Sequence, residues 1–276
     1  MITKTLTGVP FFDKRYGGIY RGRPMLISGR SGSGKSVLGL QFVLQGLRQN
    51  ERCLILSARP MADVIIFAEA MQLSLSDAIE SENLILLEYS DYIPGRDREE
   101  NVMLPSDGFL QFEQIIETHA VQRVVLDTIL PWVSIRPQTH LAEHVFSFVR
   151  AFDRLGITTL MTIPKPASLP SLRLKNAVEE VVPVSVTLST IPNYNEFAWI
   201  TTKYLGEMKL DQDTPYQITP GLGIDRASAS RQSREPIAGD DLIKDESTPL
   251  PPSPVQNNTP TPKPTPKIRF ADILKQ

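Results

Sequence analysis

Apolar and polar positions fall into two textures along this chain. Up to about residue 225, short runs that are apolar throughout alternate with stretches whose apolar residues recur every three or four positions. The runs MLIS (25–28), CLILSA (53–58), NLILLEYS (83–90), RVVLD (123–127) and ITTLMTI (157–163) predict buried strands. Between the first two, Val37, Leu40, Leu44 and Leu47 draw an apolar stripe that predicts a helix over 35–48. The same period predicts helices over 61–72, 108–119 and 141–155, the last with Val145, Phe148 and Phe152 inward. VSVTLS (184–189) and FAWITTKYL (197–205) read as a late antiparallel pair. Continuous apolar strands interleaved with helices predict an α/β fold whose mostly parallel central sheet is covered on both faces.

The second texture begins near residue 226. Residues 226–276 hold nine of the 23 prolines and a single aromatic, Phe270. Such a segment buries too little apolar surface to offset its ordering entropy, so a disordered Pro-rich tail is expected after a folded body of 1–225. The tail ends KIRFADILKQ, where Phe270, Ile273 and Leu274 would share one face of a helical turn. Residues 267–276 are therefore a candidate docking motif for a protein partner.

Charge and cysteine content change the picture little. The formal net charge is −2, and the tail carries eight Lys and Arg against six Asp and Glu, which leaves the body acidic. An acidic body argues against an extended nucleic-acid path. The one cysteine, Cys53, lies in an apolar run, so no disulfide framework is expected. The first twenty residues lack the apolar stretch of a secretion signal, and no apolar run approaches the roughly 20 residues of a bilayer span. These features predict a soluble, cytoplasmic protein. His119, His140 and His144 lack a third ligand at metal spacing and read as helix-surface residues.

The chemistry is concentrated in GRSGSGKS at 29–36. Gly29, Gly34, Lys35 and Ser36 satisfy the phosphate-loop pattern G-x-x-x-x-G-K-[ST] between a predicted strand and a predicted helix. Backbone N–H groups along Gly29, Ser31, Gly32, Ser33, Gly34, Lys35, Ser36 and Val37 would cradle phosphate oxygens. Lys35 would reach the β and γ phosphates, and Ser36 would ligate Mg²⁺. The second metal ligand is expected to be an acid at the end of a neighbouring strand, and VVLD places Asp127 there. The predicted cofactors are ATP and Mg²⁺.

With these residues in view, the chain resembles the KaiC-like branch of the RecA-fold ATPases. TGVPFFD (7–13) is similar to that family's opening signature. GGIYRGRPMLISGRSGSGKS (17–36) is similar to its glycine pair, strand and phosphate loop, and RVVLDTI (123–129) to its metal strand. RLGITTLMTI (154–163), VEEVV (178–182) and YQITPGLGI (216–224) resemble later landmarks. The resemblance implies a RecA-like domain that assembles as a homo-oligomer, with a ring as the family's arrangement.

Two departures from the family pattern bear on turnover. The family ends the strand after the phosphate-loop helix in two glutamates, one of which resembles a general base. Here the place reads Ser57-Ala58-Arg59-Pro60, so Ala58 and Arg59 stand where the glutamates would. Asp63 and Glu69 are the nearest other acids, expected on the following helix. The family's lysine-x-arginine-glycine, whose cations reach the neighbouring subunit's γ-phosphate, reads Lys203-Tyr204-Leu205-Gly206. Lys203 remains as a candidate trans-acting lysine and the arginine is absent. The expectation is an ATP-binding regulatory or assembly module with weak or absent hydrolysis. The alternative is an active ATPase of the same family, either an ordinary regulatory one or one acting on DNA through the loop PKPASLPSLRLKN (164–176), which carries Lys165, Arg173 and Lys175 and no acid.

Overall fold

In a computed structural model, the chain is described over residues 3–89, 106–133, 140–191, 196–211 and 213–227. All of these lie in the first of two compact units, Met1–Ala229. The proline-rich segment and its 267–276 motif lie outside the described residues.

The apolar runs form the parallel part of the main sheet. β3 (Pro24–Gly29), β4 (Cys53–Ser57), β5 (Leu84–Glu88), β6 (Arg123–Asp127) and β7 (Thr158–Pro164) correspond to the five predicted strands, and β8 (Val184–Ile191) continues the parallel set. β8 and β9 (Glu196–Tyr204) are antiparallel, as predicted, and β10 (Thr214–Thr219) and β11 (Gly223–Arg226) extend that edge. Among the described residues the sheet has nine strands in the order β11-β10-β9-β8-β3-β7-β6-β4-β5. β3 is wholly buried between β7 and β8. β1 (Lys4–Thr5) and β2 (Ile19–Tyr20) make a separate antiparallel pair. Parallel neighbours require crossovers, and the helices supply them. They are α2 (Lys35–Arg48), α3 (Met61–Ala70), α4 (Ser76–Glu80), α5 (Ser106–Thr118), α6 (Leu130–Val133), α7 (Leu141–Leu155) and α8 (Leu169–Val181).

Two predictions need correction, and one helix is added. Residues 164–176 are not a basic loop, because α8 starts at Leu169. Ser168 caps it in a reciprocal box with Ser171, and Pro170 occupies the first turn. Proline there forfeits only an N–H that has no intrahelical partner anyway, so it starts a helix rather than ending one. Arg173 and Lys175 thus lie on a helix, and Lys175 pairs with Glu179 one turn on. The opening segment also folds as a helix, α1 (Pro10–Tyr16), with Asp13 accepting the N–H groups of Thr7 and Gly8. His144 is buried rather than on a surface, with Nε2 2.8 Å from the Trp132 carbonyl.

Arg123, at the start of β6, is fully buried. Its guanidinium donates to Glu51 Oε2 at 2.6 Å, to the Leu6 and Phe42 carbonyls, and to Thr5 Oγ1 and Gln49 Oε1. Each N–H direction of the fork meets an acceptor, which is the condition for burying this cation. It clamps the N-terminal pair and the end of α2 onto β6. An aromatic cluster of Phe109, Phe112, Trp132, Phe148 and Phe152 packs α5, α6 and α7 together. Burial of each such side chain is worth about 1.5–3 kcal/mol.

Candidate functional site

The predicted phosphate loop joins the C-terminal end of β3 to the first residue of α2. Gly32 and Gly34 have φ of 77° and 89°, a left-handed backbone that side chains disfavour. Gly34 has a second constraint, since a Cβ there would stand 2.8 Å from Ile218 Cδ1. No side chain caps the start of α2, which leaves its first N–H groups without a side-chain partner. Ser31 and Gly32 are exposed, and Ser33, Gly34 and Val37 are buried. Such an arrangement offers donors and a positive helix end to an anion.

The loop is braced from the far edge of the sheet. The Tyr216 hydroxyl donates to the Ser33 carbonyl at 2.6 Å. Gln41, nearly two turns into α2, donates to the Leu222 and Ile224 carbonyls and accepts from the Ile224 N–H. These partners lie on β10, β11 and their turn, elements that periodicity did not predict. Their only sequence signal was the YQITPGLGI resemblance.

The charged groups meet above the strand ends. Lys35 Nζ donates to the Gly29 and Arg30 carbonyls, 2.8 Å each, so it lies folded along the loop. Burial holds its ammonium below the usual lysine range, and nearby Asp127 opposes that while Arg59 reinforces it. Ser36 Oγ donates to Asp127 Oδ2 at 2.8 Å, which joins the two predicted metal ligands directly. Asp127 Oδ1 accepts from Thr162 Oγ1 at 2.7 Å, a bracing residue that the sequence hid inside an apolar run.

Ala58 and Arg59 follow β4, and Ser57 at its end lies in register with Asp127 on one side and Glu88 on the other. Ala58 is exposed and its N–H donates to the Asp127 carbonyl. Arg59 turns inward. Its Nη2 donates to Ser36 Oγ and stands 3.5 Å from Asp127 Oδ2. Its backbone N–H donates to Ser57 Oγ, and its Cζ lies 5.5 Å from the centre of the Phe67 ring. A half-exposed arginine thereby lies on both predicted metal ligands.

Sequence reading overlooked one strand-end acid. The predicted strand 83–90 ran past Glu88, whereas β5 ends there. Glu88 Oε1 accepts the Met61 N–H at 2.6 Å and so starts α3. Asp63 and Glu69 do lie on α3, and Glu69 accepts from Ser74. Lys203 is not brought to the loop of its own chain. Its Nζ donates to the Glu179 and Glu180 carbonyls at 2.9 and 2.6 Å and closes the last turn of α8. Leu205 is exposed.

A serine hydroxyl and an aspartate carboxylate are hard oxygen donors of the kind Mg²⁺ takes, so the pair fits that ion in chemistry. Arg59 adds a fixed positive charge on the same ground. Among the described residues no helix is long and apolar enough to cross a membrane, and no three His, Cys, Asp or Glu side chains gather as a metal site.

Residues 5–225 match a family model described as "ATPase: KaiC". The chain is 26 % identical over 166 residues to the circadian clock oscillator protein KaiC of Parasynechococcus marenigrum, covering 58 % of this chain and 32 % of that one. The protein of the same name from Prochlorococcus marinus subsp. pastoris is 26 % identical over 192 residues, 68 % of this chain and 37 % of that one. That from Thermostichus vulcanus is 25 % identical over 228 residues, 80 % of this chain and 43 % of that one. The chain spans less than half the length of each of these relatives.

Proposed function

This chain belongs to the KaiC ATPase family, and we propose from that premise that it is an ATP-binding module with little or no hydrolysis, acting through nucleotide-dependent oligomerisation and partner recruitment. The loop of Gly29 and Ser31 to Val37 would hold the phosphates on its backbone N–H groups. Lys35 would exchange the Gly29 and Arg30 carbonyls for β and γ phosphate oxygens. Ser36 and Asp127 would hold Mg²⁺, which when bound would neutralise part of the phosphate charge.

One observation carries the low-turnover half. Past the end of β4, where the family pattern has glutamates, stand an exposed alanine and an arginine engaged with Ser36 and Asp127. Alanine accepts no proton and an arginine stays protonated. A positioned general base contributes about 10²–10⁴ in rate, and an arginine finger, here replaced by Leu205, about 10³–10⁵. A site lacking both would bind well and turn over slowly. Nucleotide would then act as a structural ligand, stabilising the folded form by about 2.7 kcal/mol at 100 times its Kd. Lys203 would serve a neighbouring subunit only by leaving the end of α8. The 267–276 motif would recruit the partner, which a pull-down with that segment deleted would lose.

The test is a paired assay on purified protein. ATP should raise the melting temperature while phosphate release stays near background. Turnover of about 1 s⁻¹ or more, abolished by Lys35→Ala, would overturn the low-turnover reading.

A second reading is an active ATPase of the same family. Glu88 favours it, because it ends the strand beside Ser57. In that case Glu88→Gln would abolish a measurable turnover. The DNA-acting version loses support, since two cations of its supposed loop lie on α8.

A further inference from the structure

We propose that Arg59 is a built-in counter-cation that lets this pocket hold a nucleoside triphosphate without a divalent ion. The inference rests on the nucleotide-binding reading above and concerns how that site balances charge.

Four observations converge. The Arg59 guanidinium donates to Ser36 Oγ and stands 3.5 Å from Asp127 Oδ2, the two oxygens that would otherwise serve a metal. Those oxygens are also hydrogen-bonded to each other at 2.8 Å, so the three side chains form one connected cluster. Arg59 is held from two sides, by its N–H on Ser57 Oγ at 3.0 Å and by its guanidinium near the Phe67 ring. Pro60 follows, which disfavours a helical backbone at Arg59 and keeps it at the strand end.

The chemistry follows from the fork. A guanidinium is charged at all accessible pH values and presents five N–H donors in one plane. With Nη2 turned to Ser36 and Asp127, the remaining donors are available to oxygens of a phosphate seated at the start of α2. Lys35 lies in the same cluster, so two cations and the loop N–H groups would face the triphosphate. A divalent ion entering there would meet Arg59 on its ligands and a like charge beside it. Its contribution to binding would shrink accordingly.

Isothermal titration of the full chain with ATP, once with EDTA and once with Mg²⁺, tests this. The wild type should bind in both buffers with dissociation constants within about threefold of each other. Arg59→Ala should lose at least about tenfold in EDTA, the loss of a charge-assisted hydrogen bond, and Mg²⁺ should restore most of it. Arg59→Met, which keeps a long side chain against Phe67, should behave like Arg59→Ala and exclude a packing effect. The inference is overturned if wild-type binding collapses tenfold or more in EDTA, or if both variants weaken equally in the two buffers. Absence of ATP binding by the wild type in either buffer would instead sink the nucleotide-binding reading, and the role of Arg59 with it.

Discussion

The hydroxyl of Tyr216 donates a 2.6 Å hydrogen bond to the carbonyl of Ser33, 183 residues earlier in the chain. Tyr216 is buried, and burial lifts its phenol above the usual tyrosine range, so it remains a donor at any working pH. Tyr216→Phe would leave a carbonyl of the phosphate loop without its partner, at a cost of about 1–3 kcal/mol. The expected outcome is a modest fall in melting temperature and a several-fold weaker ATP affinity, read by calorimetry. An unchanged affinity would show that the loop holds its form without β10.

Gly34→Ala should be more severe at the site. The added Cβ would sit 2.8 Å from Ile218 Cδ1 in a backbone region that costs about 1–2 kcal/mol for a side chain. The expected result is loss of the ATP-induced thermal shift, with a smaller fall in the melting temperature of the ligand-free protein.

Glu51 pairs with Arg123 at 2.6 Å and with Arg21 at 2.7 Å, and both Glu51 and Arg123 are buried. Glu51→Gln removes the charge and leaves the Arg123 cation uncompensated. Breaking such a buried pair costs about 3–5 kcal/mol. Thermal denaturation should show a drop on the order of 10 °C. A change of only a degree or two would mean that the remaining acceptors around Arg123 suffice.

Cys53 is buried, and burial pushes its thiol up to about 12. The folded protein should resist a thiol reagent at pH 8 and react on unfolding. The linkage has a definite sign. A thiol raised in the folded state favours folding fully below its unfolded pKa of about 8.5 and loses that contribution as pH rises toward 12. Melting temperature should therefore decline above about pH 8.5, and Cys53→Ala should show a shallower decline.

The strands and the phosphate loop were legible because their signals are local. A buried parallel strand is an unbroken apolar run, and the loop is eight adjacent residues. α8 was not, because Pro166, Ser168 and Pro170 look like loop residues until one sees that two of them start a helix. The substitution of Arg59 could be read from the sequence, but its direction could not. That direction depends on Ser36 at the start of α2, Asp127 at the end of β6 and Phe67 on α3, brought together by the strand order. Glu88 was hidden by a predicted strand two residues too long, and Thr162 by the apolar residues around it.

The wall behind Gly34 is made by Ile218 and Ile224, near the far end of the domain. A nascent chain that has emerged from the ribosome only as far as β7 already carries every loop residue, Arg59 and Asp127, yet lacks that wall and the tyrosine that steadies Ser33. Its pocket would stay unformed until the last hairpin docks. Ligand capture would then report that the β10–β11 hairpin has docked, and chains that stop before β10 would hold the nucleotide less well.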